Sequence, residues 1–301
     1  MTTGEALQHY LAIVSKVFSR WNRKCALRSD DLYKSSTLEE EMKRVIQESS
    51  TGYTGEELML DRGNWNGTGY TYQNSTFHPK NALTPFRSFV CVTPTHDMLN
   101  PRRLCTYKAP WNETPECKIW EAAHATSAVP TLLKPIQIDS ESFVAGANYS
   151  NPTREVVDEA RNLFGTERPV GLLLSIGAGF IASCSLAGSD RRGLPKILKD
   201  VELGSSQVSH DLAIGRSINH PDFYEVYFRF DVIFVRRSDA FDEWNKMERF
   251  SKKTNDDLRA PERERRIDLV ARILCGVSPE SERGRLGSLW NSVFLWKRSY
   301  S

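Results

Sequence analysis

The stretch Cys117–Pro135, CKIWEAAHATSAVPTLLKP, is followed by Phe143–Pro152, FVAGANYSNP, and by Val170–Gly179, VGLLLSIGAG. Read in order they predict helix, strand, helix and strand. The first is an Ala-rich helix over 117–127 that stops at Pro130. Ser142–Ala147 reads as a short strand. Asn151-Pro152 then opens a helix to about Phe164, with Asn as N-cap and Pro in the first turn. Val170–Ile176 is a continuous apolar run, as expected of a strand covered on both faces, and Gly177 and Gly179 end it. This alternation predicts an α/β sandwich with a mostly parallel sheet.

Working outward, residues 4–20 carry Leu7, Tyr10, Leu11, Val14, Val17 and Phe18 at helical spacing, and Thr2-x-x-Glu5 reads as a capping box. A second helix fits 37–48, opened by Thr37-x-x-Glu40. Residues 61–82 read as a long loop. Its Trp65, Tyr70, Tyr72 and Phe77 fit either a lipid- or partner-facing surface or, the favoured reading, a variable surface insertion. Phe86–Thr93 and Leu104–Tyr107 read as strands. Helices are expected at 194–203, 206–218, 238–250 and 261–276, with one strand at Tyr224–Phe230. RAPERERR (259–266) interleaves Arg and Glu, as a solvated helix face does.

Composition bounds the function. Forty Lys+Arg stand against 38 Asp+Glu in 301 residues, a formal charge of +2, so no cationic excess is available to track nucleic-acid phosphates. The hydrophobic fraction of 40% supports a real core and excludes a disordered or collagen-like chain. The most apolar stretch, Val170–Ala182, falls short of a spanning helix, and MTTGEALQHY lacks a signal-peptide pattern. A cytoplasmic chain with free thiols is expected. Cys25, Cys91, Cys105, Cys117, Cys184 and Cys275 form no C-x-x-C, and the sequons at Asn66, Asn74, Asn112 and Asn148 are read as chance.

Motifs for chemistry are sparse. Each Gly-x-Ser (Gly204, Gly215, Gly276) lacks the second glycine of a nucleophile elbow. No phosphate-cradling G-x-x-x-x-G-K-[ST] occurs. Gly177-x-Gly179 with Ala182 formally fits a dinucleotide loop, and Glu202 lies near the expected acidic position, but a strand-ending turn is the preferred reading. His124 is expected to be packed or hydrogen-bonded, and His210 and His220 are too far apart for a metal pair on one helix turn. No cofactor and no metal site is expected.

Together, the three opening stretches, EVVDEA (155–160) and YFRF (227–230) resemble the patatin-like phospholipase family, especially its fungal branch, over about residues 4–275. The resemblance implies a three-layer α/β/α sandwich and a lipid acyl hydrolase. In that family a serine attacks the ester carbonyl, an Asp serves as its base, and a Gly-rich loop binds the oxyanion. It also implies contact with lipid or a membrane surface.

The chain departs from the family at its chemistry. The family's Asp-Gly motif corresponds to Ala145-Gly146-Ala147, and the Asp position is Ala145. A methyl group accepts no proton. Asp139, six residues upstream, offers no simple substitute. The first helix resembles one that follows the family's nucleophile, so the elbow and oxyanion loop are expected upstream of Met1 and absent from this chain. The expectation is one partial domain over 1–301, incomplete at its N-terminus, with 277–301 as a tail. It would be catalytically inactive as given, marginally stable alone or self-associating. Two alternatives stand beside it: an active hydrolase with an unrecorded upstream N-terminus, and a non-catalytic interaction module of a larger receptor-like protein.

Overall fold

A computed structural model describes residues 2–25, 31–60, 87–98, 100–112, 115–146, 151–181, 226–234 and 247–275. The expected loop at 61–82, the helices at 194–203 and 206–218, and the tail at 277–301 lie outside these residues.

Helix α1 is Thr3–Val17. The Glu5 N–H donates to Thr2 Oγ1 at 3.3 Å and the Thr2 N–H to Glu5 Oε2 at 2.5 Å, the capping box read from the sequence. It ends three residues early, and a short 3-10 turn, Arg20–Asn22, follows. Helix α2 is Ser35–Ser49. Thr37 lies inside its first turn and caps nothing. Its hydroxyl instead donates to Asn22 Oδ1 at 2.7 Å. Asn22 is buried, and its amide donates to the carbonyls of Val17 (2.8 Å) and Lys34 (3.1 Å). One side chain therefore terminates α1 and launches α2. Between the helices lie Ile13, Val17, Leu32, Tyr33 and Leu38, closed by Leu132 and Leu133.

Strands β1 (Phe89–Pro94), β2 (Arg102–Cys105), β3 (Ile136–Ile138) and β4 (Glu141–Val144) form one sheet in the order β2-β1-β4-β3, antiparallel throughout. Helix α3 (Ile119–Ser127) lies on it. Ala122 and Ala125 are fully buried against Val92, Leu104, Ile136, Ile138 and Phe143. Their small side chains let the helix backbone approach the sheet closely. His124 is buried and its Nε2 lies 3.1 Å from the Lys134 carbonyl, as expected of a hydrogen-bonded core histidine.

Helix α4 (Thr153–Phe164) follows, then β5 (Leu173–Ile176), β6 (Phe180–Ile181), β7 (Tyr227–Phe230) and β8 (Ile233–Phe234). β5 pairs with β7, and β6 with β8, both parallel. The last helices among the described residues are α5 (Met247–Leu258) and α6 (Pro261–Leu274). The α/β class holds, but among the described residues the largest sheet is not parallel. Short connections join β1 to β2 and β3 to β4 and permit only antiparallel pairing there, and β1 and β4 then join the two hairpins antiparallel as well. The parallel pairs occur where a long crossover intervenes. β3, only three residues long, gave no readable signal.

Two further expectations are corrected. β5 alternates, with Leu173 and Ser175 buried but Leu174 39% and Ile176 75% exposed, so it is not covered on both faces. The RAPERERR segment is not wholly solvated. Arg263 Nη2 donates to the Asp231 carbonyl at 3.0 Å, and Arg266 lies over the rings of Phe228 and Phe230 at 6.0 and 5.5 Å.

Helix α4 is tied to the antiparallel sheet by a buried carboxylate. Glu159 is 2% exposed; it accepts from the Tyr107 hydroxyl at 2.8 Å and from Trp111 Nε1 at 3.0 Å. Arg103 places Nε 3.2 Å from Glu159 and donates from Nη1 to Glu155 at 2.7 Å. Glu159→Leu strands the phenol, the indole and part of the guanidinium, and should lower stability by about 3–5 kcal/mol in urea titrations. Retained stability would show that α4 is held by other contacts.

His124 yields a pH prediction. Burial lowers its pKa below the usual 6.5. Above that value both folded and unfolded chains hold it neutral. As pH falls through 6.5 the unfolded chain takes up the proton first, so stability falls. His124→Gln should flatten this acid limb in thermal melts between about pH 7 and 5.

Candidate functional site

Strand β4 leads directly into Ala145. The Ala145 N–H donates to the Ala128 carbonyl at 3.0 Å, and Ala128 is the fully buried cap residue of α3. This bond joins the A-T-S-A-x-P and F-V-A-G-A stretches. Ala145 and Gly146 are half-buried; Ala147 lies outside the described residues. Asp139 sits in the β3–β4 turn at φ 51°. The length of β4, about 13 Å at 3.3 Å per residue, separates it from Ala145. It cannot serve this position.

Beyond Ala145 the chain enters a buried polar cluster. Asn151 Oδ1 accepts from the Thr153 N–H at 3.3 Å and hydroxyl at 2.5 Å, but Pro152 and not Asn151 holds the N-cap position, so the expected helix start is shifted by one residue. Ser175 on β5 donates to the same oxygen at 3.2 Å and lies 3.0 Å from Thr153 Oγ1. Arg229 on β7 donates from Nη1 to Ser175 at 2.7 Å, and from Nε and Nη2 to Asp231 Oδ2 at 3.2 and 2.6 Å. Asp231 Oδ1 accepts from the Gly179 N–H at 2.7 Å. The Gly177 N–H donates to the Phe230 carbonyl at 2.8 Å.

This cluster is a scaffold. Ser175 contacts an amide oxygen, a hydroxyl and a cation, and none of these is a base that would raise a nucleophile. Asp231 is occupied by Arg229 and Gly179. The Gly177–Gly179 turn leads into β6, whereas a dinucleotide loop opens a helix, so the dinucleotide reading fails. Gly179 has φ 94°, and a Cβ on Gly177 would collide with Arg229 and Asp231.

Among the described residues no cysteine near Ala145 offers an activated thiol. Burial pushes the thiols of Cys91 and Cys117 up to about 12 and raises that of Cys105. No group of three or more metal-ligating side chains occurs among the described residues. His210, His220 and Glu202 lie outside them. Arg229 and Asp231 were missed in the sequence. The one signal was YFRF, which marks a stretch but gives Arg229 no role.

A helix-covered sheet with a strand ending just before Ala145-Gly146, an Asn-Pro helix start and a glycine turn after a second strand define an α/β protein. The family described as patatin-like phospholipase matches residues 4–157, more than half of the 301, and the chain belongs to that family. The match includes Ala145-Gly146-Ala147 and Asn151-Pro152 but stops before β5. A search of curated proteins returns no match.

Gly177→Ala should cost about 1–3 kcal/mol, from the collision with the Arg229–Asp231 pair. A thermal shift comparing it with Ala178→Gly checks this. Equal melting temperatures would show that the turn yields freely.

Proposed function

We propose that this chain is a patatin-like domain without the family's esterase base, and that it hydrolyses lipid acyl esters at background rate only. The observation that carries this reading is Ala145 at the end of β4, the position of the family's Asp. The base there takes the proton of the attacking serine and returns it to the leaving alkoxide. A methyl group does neither. Asp139 is out of reach, and Asp231 is engaged by Arg229. Loss of such a base is worth about 10²–10⁴ in rate. The reading concerns the base alone, and so holds for whatever segment carries the serine.

The domain proposed is a single three-layer unit over about residues 4–275, of the fungal branch. Parallel pairing in β5–β7 and β6–β8 supports the layered sheet. The free thiols of Cys25, Cys91, Cys105, Cys117 and Cys275 support a reducing, cytoplasmic setting. No helix among the described residues is long and apolar enough to cross a membrane.

The native protein should show no short-chain ester hydrolysis sensitive to a serine-directed phosphonate. Ala145→Asp should raise hydrolysis about 10²-fold or more wherever the serine is present. Phosphonate-sensitive turnover by the unaltered protein, unchanged by Ala145→Asp, would overturn the reading.

A further inference from the structure

Helix α4 meets the antiparallel sheet through one arginine and two carboxylates. Arg103 on β2 donates from Nη1 to Glu155 Oε2 at 2.7 Å, and its Nε lies 3.2 Å from Glu159 Oε2. Glu155 and Glu159 are four residues apart on α4, so both face the same guanidinium. The arginine side chain is 17% exposed, Glu155 15% and Glu159 2%. One cation thus serves two anions where water screens them poorly, and the excess negative charge is costly there.

The hydrogen bonds decide which carboxylate gives up its charge. Glu159 accepts from the Tyr107 hydroxyl and from Trp111 Nε1, and a proton on Glu159 would compete with these donors. Glu155 accepts from Arg103 through Oε2, and its Oε1 receives no donor among the described residues. Oε1 can therefore hold a proton while Oε2 keeps the arginine. Other groups around Glu155 divide. Burial is the largest influence and raises its carboxyl; Asp158 adds to the rise, Arg103 and Arg154 oppose it, and the net position is above the usual 4.5. The first turn of α4, where Glu155 lies, also favours the anion. On β1 the Cys91 thiol, pushed up to about 12 by burial and by Glu155, stays neutral and adds no charge.

We propose that Arg103, Glu155 and Glu159 form an acid-tightened latch: on mild acidification Glu155 takes up a proton at Oε1, leaves the charge of Arg103 to Glu159, and holds α4 more firmly on the antiparallel sheet. The same helix carries Thr153, whose hydroxyl meets Ser175 on β5. The latch therefore sets how firmly the antiparallel sheet is joined to the parallel strands. Its sign is opposite to that of His124. A carboxyl raised by folding holds its proton more tightly than the unfolded chain does. Stability is gained as pH falls through the folded value toward 4.5, and is lost as pH rises through it.

The test compares the full chain with Glu155→Gln in urea titrations between about pH 8 and 4.5. The amide is neutral throughout, and its oxygen can still accept from Arg103. His124 is common to both chains and cancels in the difference. The urea midpoint of the parent should rise relative to that of Glu155→Gln as pH falls. A second measurement needs no variant. Hydrogen exchange of the parent over the same range, corrected for intrinsic rate, should show α4 amides gaining protection relative to α1 amides. A midpoint difference that is constant with pH, a parent that loses ground on acidification, or α4 protection that only follows that of α1 would each overturn the latch.

Discussion

Ala122 and Ala125 set how closely α3 can lie on the antiparallel sheet, and much else follows from that closeness. With both residues fully buried against Val92 and Phe143, the helix has no room for larger side chains on this face. Its end is then held beside the end of β4, where the Ala128 carbonyl receives the Ala145 N–H. From the same point the chain turns through Thr131, at φ 73°, to Leu132 and Leu133, which close the space between α1 and α2. One helix–sheet contact thus fixes both the motif position and the floor of the helical layer.

Two polar assemblies hold what this contact leaves free. Glu159 ties α4 to β2 and the segment after it, and the Asn151–Thr153–Ser175–Arg229–Asp231 cluster ties α4 to the parallel strands. Both are buried, and such networks are retained only when their members are satisfied. Fully engaged groups are poor catalysts: a serine that receives a guanidinium proton and an aspartate paired with arginine have no capacity left for a substrate. The cluster therefore holds α4 to the parallel strands and leaves none of these groups free for proton transfer.

Legibility in the sequence followed the range of the interactions. The Thr2–Glu5 capping box, the Asn-Pro helix start (to within one residue) and the Ala-rich helix are local, and their signals lie within a few residues. The family was legible because several such local signals recur in a fixed order. The Thr37 cap failed because a tertiary partner, Asn22, claimed the hydroxyl. β3 was invisible because Ile136–Ile138 is too short for a period and exists by pairing with β4. Arg266 looked solvated because its neighbours are charged, and only the fold brings Phe228 and Phe230 beneath it. That Ala145 carries no proton acceptor is a property of one residue and needs no fold to read.

The contrast between Ala145 and Gly177 separates scaffold from chemistry. At Gly177 any side chain meets Arg229 and Asp231, so the fold itself demands glycine. At half-buried position 145 the hydrogen bond made is a backbone N–H to Ala128, which every residue but proline supplies. An ionised carboxylate there would lose part of its hydration, a cost that an enzyme accepts for the proton transfer it gains. Alanine removes that cost and leaves the hydrogen bond to Ala128 in place. A side-chain change at 145 thus leaves the backbone bond to Ala128 in place, whereas one at Gly177 must displace Arg229 or Asp231.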